Sequence, residues 1–494
     1  MSNTSVQPLP VSLPNGGGQR VSGMSFPQTA SPRAVSGIGF NLTLAFIFMV
    51  FGRIPELVAI KTGVQLPIAM LISLGAGIAA LFAADIRRLS RMRAVQWLLA
   101  FTVWLLIAGV FSTWHGGTYQ MFKDYWSKSI LICLVVSMVV ITVEDLRKIM
   151  YALTYGTMII ILTGLLFSGT AAGRMTVLDG SLSNPNELAG RLLTGFCFCL
   201  FLIENERGFS FKRAAVILSL PLLLWMVLRT GSRSGLLTLA MLFVMLVVRA
   251  TMTQRVLIIA GSVTVLMFFF AVLPKDATSR YALMFSSQKG TASEALTEEE
   301  KMAVGSRDAR ARLAQEAVDL TLTHPVFGVG PGVYESAAAE QAKTEGRRAM
   351  WHETHNTYLQ ISAEAGVPAL ILYLLALFSC LAQTFRIYRK TRRDPELATI
   401  SKISYCLMLA LMSWMAGALF DSQAYRLEFP MMAGLICAFS LAAAPVIQRR
   451  VASQSKPALA TVSVPGMTPV AAAPAAQPSF KQNNPYRFGR LRSR

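Results

Sequence analysis

The sequence predicts an all-α, polytopic integral membrane protein of about twelve transmembrane helices, with one large outward loop before helix 10. Three observations carry that prediction. The 494 residues are 53% hydrophobic and only 15% charged, whereas a soluble domain is about one quarter charged. About a dozen apolar stretches approach the ~20 residues that cross a bilayer. The connections between them alternate in basic content. The apolar fraction excludes a disordered chain, and six cysteines in so long a chain exclude a disulfide scaffold. A net charge of +20 suggests nucleic-acid binding only where the charge gathers on one solvated face, so its location decides what it means.

Along the chain, residues 1–36 are rich in Pro, Gly and Ser and carry only Arg20 and Arg33 as charges. They lack the basic region, apolar core and cleavage site of a removable leader, and a disordered tail is expected. The apolar stretches follow at 36–52, 64–83, 96–114, 128–143, 149–168, 187–203, 214–229, 233–248, 256–274, 357–382, 403–421 and 429–447. The membrane domain thus runs over 37–450, with the long loop at 275–356. Residues 451–494 are Ala/Pro-rich with six basic and no acidic residues, too poor in large apolar side chains to offset the entropy of ordering. A second disordered, basic tail is expected there.

Orientation follows from the connections. With the N-terminus inside, the segments 85–94, 144–148, 204–213, 249–255 and 386–402 face inward, and together they hold 17 Lys and Arg. That satisfies the positive-inside rule with both termini inside. The tails, Arg449, Arg450 and these inward loops account for the whole +20 surplus, and the long outward loop is nearly balanced at ten basic and twelve acidic residues. The charge is therefore a topology signal and no footprint for nucleic acid. All six cysteines fall in spans and read as small apolar packing residues.

Polar groups placed at a cost mark where chemistry belongs. Arg229-Thr230-Gly231-Ser232-Arg233-Ser234-Gly235 joins two short spans. An arginine in such a turn either snorkels to the interface or serves a site, where its forked guanidinium suits a phosphate. Upstream, Arg174 precedes Asn184-Pro185-Asn186-Glu187. Asn184 as cap, Pro185 at the first helical position and Glu187 at capping-box spacing explain that stretch as a helix start. In the long loop, 306–322 reads as an amphipathic helix bearing Arg307, Asp308, Arg310 and Arg312. It ends at His324-Pro325-Val326-Phe327-Gly328-Val329-Gly330-Pro331-Gly332, a rigid turn without the context of a dinucleotide site. Just before span ten lies His352-Glu353-Thr354-His355-Asn356. Two histidines at i, i+3 with no third ligand nearby argue against a metal. Neutral imidazole is the usual general base near pH 7. Glu364, inside the span, reads as a fastener or an orienting group. No P-loop, Asp-x-Asp or serine triad is present.

Four of these segments together resemble the O-antigen ligase/polymerase superfamily of bacterial envelope polysaccharide synthesis. They are 184–189, Thr230 to Gly235, His324 to Gly332, and His355-Asn356 with Gly366 further on. The resemblance covers roughly 40–447. The ligase motif usually closes with Gly, Thr or Tyr three residues after that glycine, where this chain has Pro368-Ala369, which leaves ligase and polymerase both open. The resemblance implies a multi-pass enzyme of the bacterial inner membrane with its active site on the periplasmic face. It would catalyse inverting glycosyl transfer without a metal or cofactor. A glycan on undecaprenyl pyrophosphate would be the donor, and a hydroxyl of lipid A-core or another lipid-linked glycan the acceptor. His355 would be the base. Arg233, then Arg310 or Arg307, and Arg174 would bind the pyrophosphate, with Asn186, Asn356 and Glu364 in support. A twelve-span secondary transporter and a non-catalytic component of a polysaccharide export complex are the rival readings. The long loop before span ten, and the short link at 204–213, run against the two-halved layout of many transporters.

Overall fold

The computed structural model of the chain describes residues 32–64, 68–82, 86–171, 173–177, 183–206, 208–272, 298–346 and 351–455. Both expected tails, apart from 32–36 and 451–455, and residues 275–297 of the long loop lie outside them, as do the side chains of 298–308. Residues 1–448 form one compact unit and 449–494 a second.

Every one of the twelve apolar stretches falls on a helix. α1 (Pro32–Phe51), the short α2 (Ile54–Thr62), α3 (Ile68–Phe82), α4 (Ile86–Leu89) and α5 (Arg93–Val110) come first. α6 (His115–Met121) passes through a π-helical turn (Phe122–Trp126) into α7 (Ser127–Val139). α8 (Val143–Phe167) opens on a capping box between Thr142 and Asp145 and leads into a hairpin of β1 (Ser168–Ala171) and β2 (Arg174–Val177). α9 (Pro185–Asn205), α10 (Phe211–Arg229), α11 (Arg233–Arg249) and α12 (Met252–Val272) follow, then α13 (Glu298–Thr323) and α14 (Tyr334–Thr344) in the long loop. α15 (Thr357–Thr391), α16 (Ala398–Ala418) and α17 (Glu428–Ser455) complete the chain.

Length separates these helices. Among the described residues seven are long and apolar enough to cross a membrane, or eight if the bent pair Gly37–Phe51 and Ile54–Thr62 is one span, its halves 61° apart. α3 and α12 carry shorter apolar runs, Leu71–Ala80 and Met252–Val265. α7 and α11 have 13 and 17 residues, about 20 and 26 Å at 1.5 Å per residue against a hydrocarbon core of ~30 Å. Length and composition among the described residues support seven or eight crossings, and the twelve expected are not confirmed by them. The break between α1 and α2 falls at Arg53, one of two non-glycine residues with positive φ among the described residues.

α15 packs against α5 and α16, α16 against α9, and α8 against α9. Rings from four elements meet in the core: Phe101 lies 5.1 Å from Trp126 and 5.3 Å from Tyr373, and Tyr373 lies 4.9 Å from Phe429. Three segments expected on the inward side converge at one end, where Arg249 donates twice to Glu204 at 2.8 Å and Lys402 bonds the Glu204 carbonyl. The amphipathic helix of the long loop is longer than expected, and its apolar stripe has a partner. Leu313, Ala317 and Leu320 of α13 pack with Val329, Tyr334, Ala338 and Ala363, at the i, i+4, i+7 spacing that puts them on one face.

Candidate active site

The site is assembled around a break in α15. Gly366 takes φ 82° and ψ 172°, which is not helical, and Pro368 has no N–H and would clash with a helical carbonyl four residues back. The break releases backbone carbonyls that are expensive to leave unpaired within a membrane, about 1–3 kcal/mol each. The glycine-rich turn repairs them. Val329 N–H donates to the Ala363 carbonyl and Gly330 N–H to the Glu364 carbonyl, both at 2.9 Å, while Val367 N–H reaches the Pro325 carbonyl at 2.8 Å. Trp104 Nε1 donates to the Ala365 carbonyl at 2.9 Å. Gly328 and Gly366 sit at positive φ against each other's chain, where any Cβ would strike backbone atoms. The Glu364 side chain, 3% exposed, accepts from the Gly332 and Tyr334 N–H groups at 3.0 and 3.3 Å. The Glu364 side chain thus ties the turn to the broken helix.

His355 stands just before α15. Asn356 caps the helix, its side chain accepting from Tyr358 and Leu359 N–H at 2.9 and 3.1 Å. The cap fixes where the chain bearing His355 enters the helix. His355 has φ 51°, a sparsely populated conformation that marks a site held in place by its surroundings. The hold comes from Ser422, whose hydroxyl accepts the His355 N–H at 3.0 Å and pairs with Thr354 Oγ1 at 3.0 Å. Nδ1 of the His355 ring is buried and has no hydrogen-bond partner among the described residues.

Two other elements bring cations into this region, and Arg310 is the one that acts on the histidine. Arg310 projects from α13, and burial together with the Arg233 and His355 neighbourhood identifies its surroundings: burial and the Arg233 charge lower its pKa, and Asp421 partly offsets them. His355 in turn is pushed below the ordinary histidine value, by burial first and then by the Arg310 charge, with Asp421 opposing. Arg233 opens α11 under the Ser232 cap. Arg174 is placed by the β1–β2 hairpin, in register opposite Ala171. Its Nε donates to the Thr230 carbonyl and its Nη2 to Asn186 Oδ1, both at 2.8 Å. Ser232 Oγ donates to the same Asn186 oxygen at 2.9 Å. Arg174 and Asn186 therefore clamp the turn that presents Arg233. Arg229 lies over Trp225 instead, 5.8 Å from its ring. Arg307 is on the first half of α13, with its side chain outside the described residues.

Several groups here were not singled out from sequence. Glu187, which capping-box spacing would turn back on Asn184, pairs with Arg426, and Arg191 pairs with Glu428. Asp421, Ser422, Gln423 and Arg426 all lie in the link between α16 and α17. Asp421 accepts from Ser422 N–H at 3.0 Å and from Gln423 Nε2 at 2.8 Å. A polar run, Asp421 to Arg426, between two apolar spans at an outward end was the available signal. Glu353, His355 and Asp421 offer ligand atoms that all lie within 4.8 Å of one another, the one such group among the described residues. The third partner sits far downstream in sequence, which is why the His352–His355 spacing gave no hint of it. The cluster can hold a proton, or a cation, near the Arg310 guanidinium.

The O-antigen ligase family model matches residues 214–374. That stretch contains Arg233, α13, the glycine-rich turn, His355 and the break at Gly366, and the match is to the superfamily the sequence motifs resemble. No curated protein matches the chain.

Proposed function

We propose, on the premise that residues 214–374 carry an O-antigen ligase domain, that the chain is a bacterial inner-membrane glycosyltransferase. It takes a glycan from undecaprenyl pyrophosphate and joins it to a sugar hydroxyl, as an O-antigen ligase or as an O-antigen or exopolysaccharide polymerase. The observation that carries this reading is Arg310, near enough to feel the Arg233 charge and to act on His355, whose pKa lies below its ordinary value. Two cations held together in a partly desolvated place repel each other, and an anion between them converts that cost into binding.

In the proposed reaction the neutral His355 imidazole accepts the proton of the acceptor hydroxyl. The freed oxygen attacks the anomeric carbon on the face opposite the leaving group. The new C–O bond forms as the bond to pyrophosphate breaks, and the bonding pair leaves with the phosphate oxygen. Arg233 and Arg310 stabilise charge where it develops, the term that usually dominates such catalysis. His355 then releases its proton to water. Arg174 and Asn186 act one step removed, by fixing the Thr230–Arg233 turn. The donor's lipid tail has a place to go. An apolar cavity of about 420 Å³ between α10, α11 and α12, lined by Leu224, Leu228, Leu236, Leu239, Gly261 and Val265, begins one helical turn from Arg233. The segments that build the site are those expected on the periplasmic side.

Glycan transfer in native membranes tests the reading. His355→Ala is expected to reach the membrane at wild-type level and to lose transfer by about 10²-fold or more, the range for a general base. Arg233→Lys is expected to impair it as well, because a point charge does not reproduce the bidentate fork. Wild-type transfer by both variants would refute the reading and favour an export component. Removal of divalent cations is expected to leave transfer unchanged. Loss of transfer on chelation, restored by one cation, would hand the Glu353–His355–Asp421 cluster to a metal.

A further inference from the structure

Beside His355, a second cavity of about 320 Å³ has a different character: Glu353, Thr354 and Ser422 line it, and neither Arg233 nor Arg310 does. Its walls come from α6 and the π-helical turn, from the start of α14, and from the links before α15 and α17. Trp114 and Tyr125 line it and are 51% and 55% exposed, so their ring faces are available. Gln120, Asp124 and Glu335 supply amide and carboxylate groups, and Arg426 stands among them. The Tyr425 hydroxyl on the same wall belongs to a residue only 5% exposed and lies beside the Glu364 carboxylate, which also lines the cavity.

We propose that this cavity is the acceptor subsite and that it binds a pyranose ring without an anionic substituent. The inference rests on the glycosyltransferase reading above and adds to it where the second substrate sits and what it is. A pyranose has an apolar C–H face and a rim of hydroxyls. Aromatic faces suit the first, and carboxylates and amides suit the second. The carboxylates outnumber the one arginine, which turns away the pyrophosphate and any uronic acid. The shared wall is the two side chains that hold His355: Thr354 and Ser422 line the cavity, and Ser422 accepts the His355 N–H. The base thus stands beside Arg310, for the leaving group, and next to an acidic, aromatic pocket for the nucleophile. A π-helical turn at Phe122–Trp126 shifts the helical register beside Tyr125, a device common at functional sites.

The full-length protein in lipid nanodiscs provides the test, by saturation-transfer-difference NMR. The probes are methyl glycosides of glucose, galactose, mannose, rhamnose and N-acetylglucosamine, with methyl glucuronide as the anionic counterpart. At least one neutral glycoside is expected to give a signal that survives His355→Ala and Arg233→Ala, while the glucuronide gives none. The signal is expected to vanish in Trp114→Ala with Tyr125→Ala, and in Asp124→Asn with Glu335→Gln, which keeps both rings should the aromatic variant fold poorly. No signal from any neutral glycoside overturns the proposal. So does an undiminished signal in the variants, as expected if Trp114 is only an interfacial anchor. Binding of inorganic pyrophosphate, followed by calorimetry on the same samples, reads the donor side separately. Its presence in wild type and loss in Arg233→Ala with Arg310→Ala keeps the glycosyltransferase reading standing even if the glycosides fail.

Discussion

His355 and Arg310 illustrate how one residue's chemistry depends on another's charge. A histidine whose pKa is lowered stays neutral, and so basic, to more acidic pH than an isolated imidazole at 6.5. The acid limb of kcat/KM, which reports the free enzyme, is therefore expected below pH 6.5. Arg310→Gln removes one of the terms that lower it, so the limb should move to higher pH as overall activity falls. A limb that stays in place while activity falls would mean that Arg310 serves the phosphate alone. Sequence gave His355 and Arg233 through their motifs. It could not say that Arg174 and Asn186 hold the turn, because a contact between β2 and the start of α9 depends on a hairpin that two four-residue strands form. Nor could it reveal Ser422 and Asp421, whose link to His355 exists only once α15 and α16 are packed side by side.

At the scale of elements, the break in α15 and the glycine-rich turn are one structure made from two distant pieces of chain. Gly366 and Pro368 were visible as helix breakers, and the three glycines of the turn as a rigid bend. Their pairing was not visible, since nothing local says that the carbonyls released in one element are satisfied by the N–H groups of another. The pairing predicts strong sensitivity to small changes. Gly366→Ala places a Cβ at a φ, ψ combination essentially reserved for glycine, about 1–3 kcal/mol by itself, and adds a clash with the Val326 carbonyl. It is expected to lower thermal stability and transfer together. Gly77→Ala in α3, where a Cβ would meet nothing within 4 Å, should change neither. Equal melting temperatures for the two variants would show that the turn and the helix are not joined as described.

For the whole molecule, hydropathy marked twelve apolar stretches that each fall on a helix, and seven or eight helices among the described residues are long and apolar enough to cross. Length in residues decides a crossing, and hydropathy alone does not report where a helix stops, as the 13 residues of α7 and the bend at Arg53 illustrate. The native cysteines are all buried and unpaired, so an added cysteine reports topology cleanly. Lys343→Cys is expected to react with a membrane-impermeant maleimide in spheroplasts, and Arg392→Cys only after permeabilisation. The reverse pattern would invert the orientation and put the site on the wrong face for a lipid-linked donor. In the proposed account His355, beside Arg310 and next to a polar, aromatic cavity, is the base of a helical membrane domain. The most direct test uses purified protein in nanodiscs with a pyrophosphate-linked lipid glycan and an acceptor, without divalent cations. Glycan joined to acceptor and lipid pyrophosphate released should appear in equal amounts in wild type and fall together by about 10²-fold or more in His355→Ala. Lipid pyrophosphate release and glycan transfer that proceed at the wild-type rate without His355 would contradict the account.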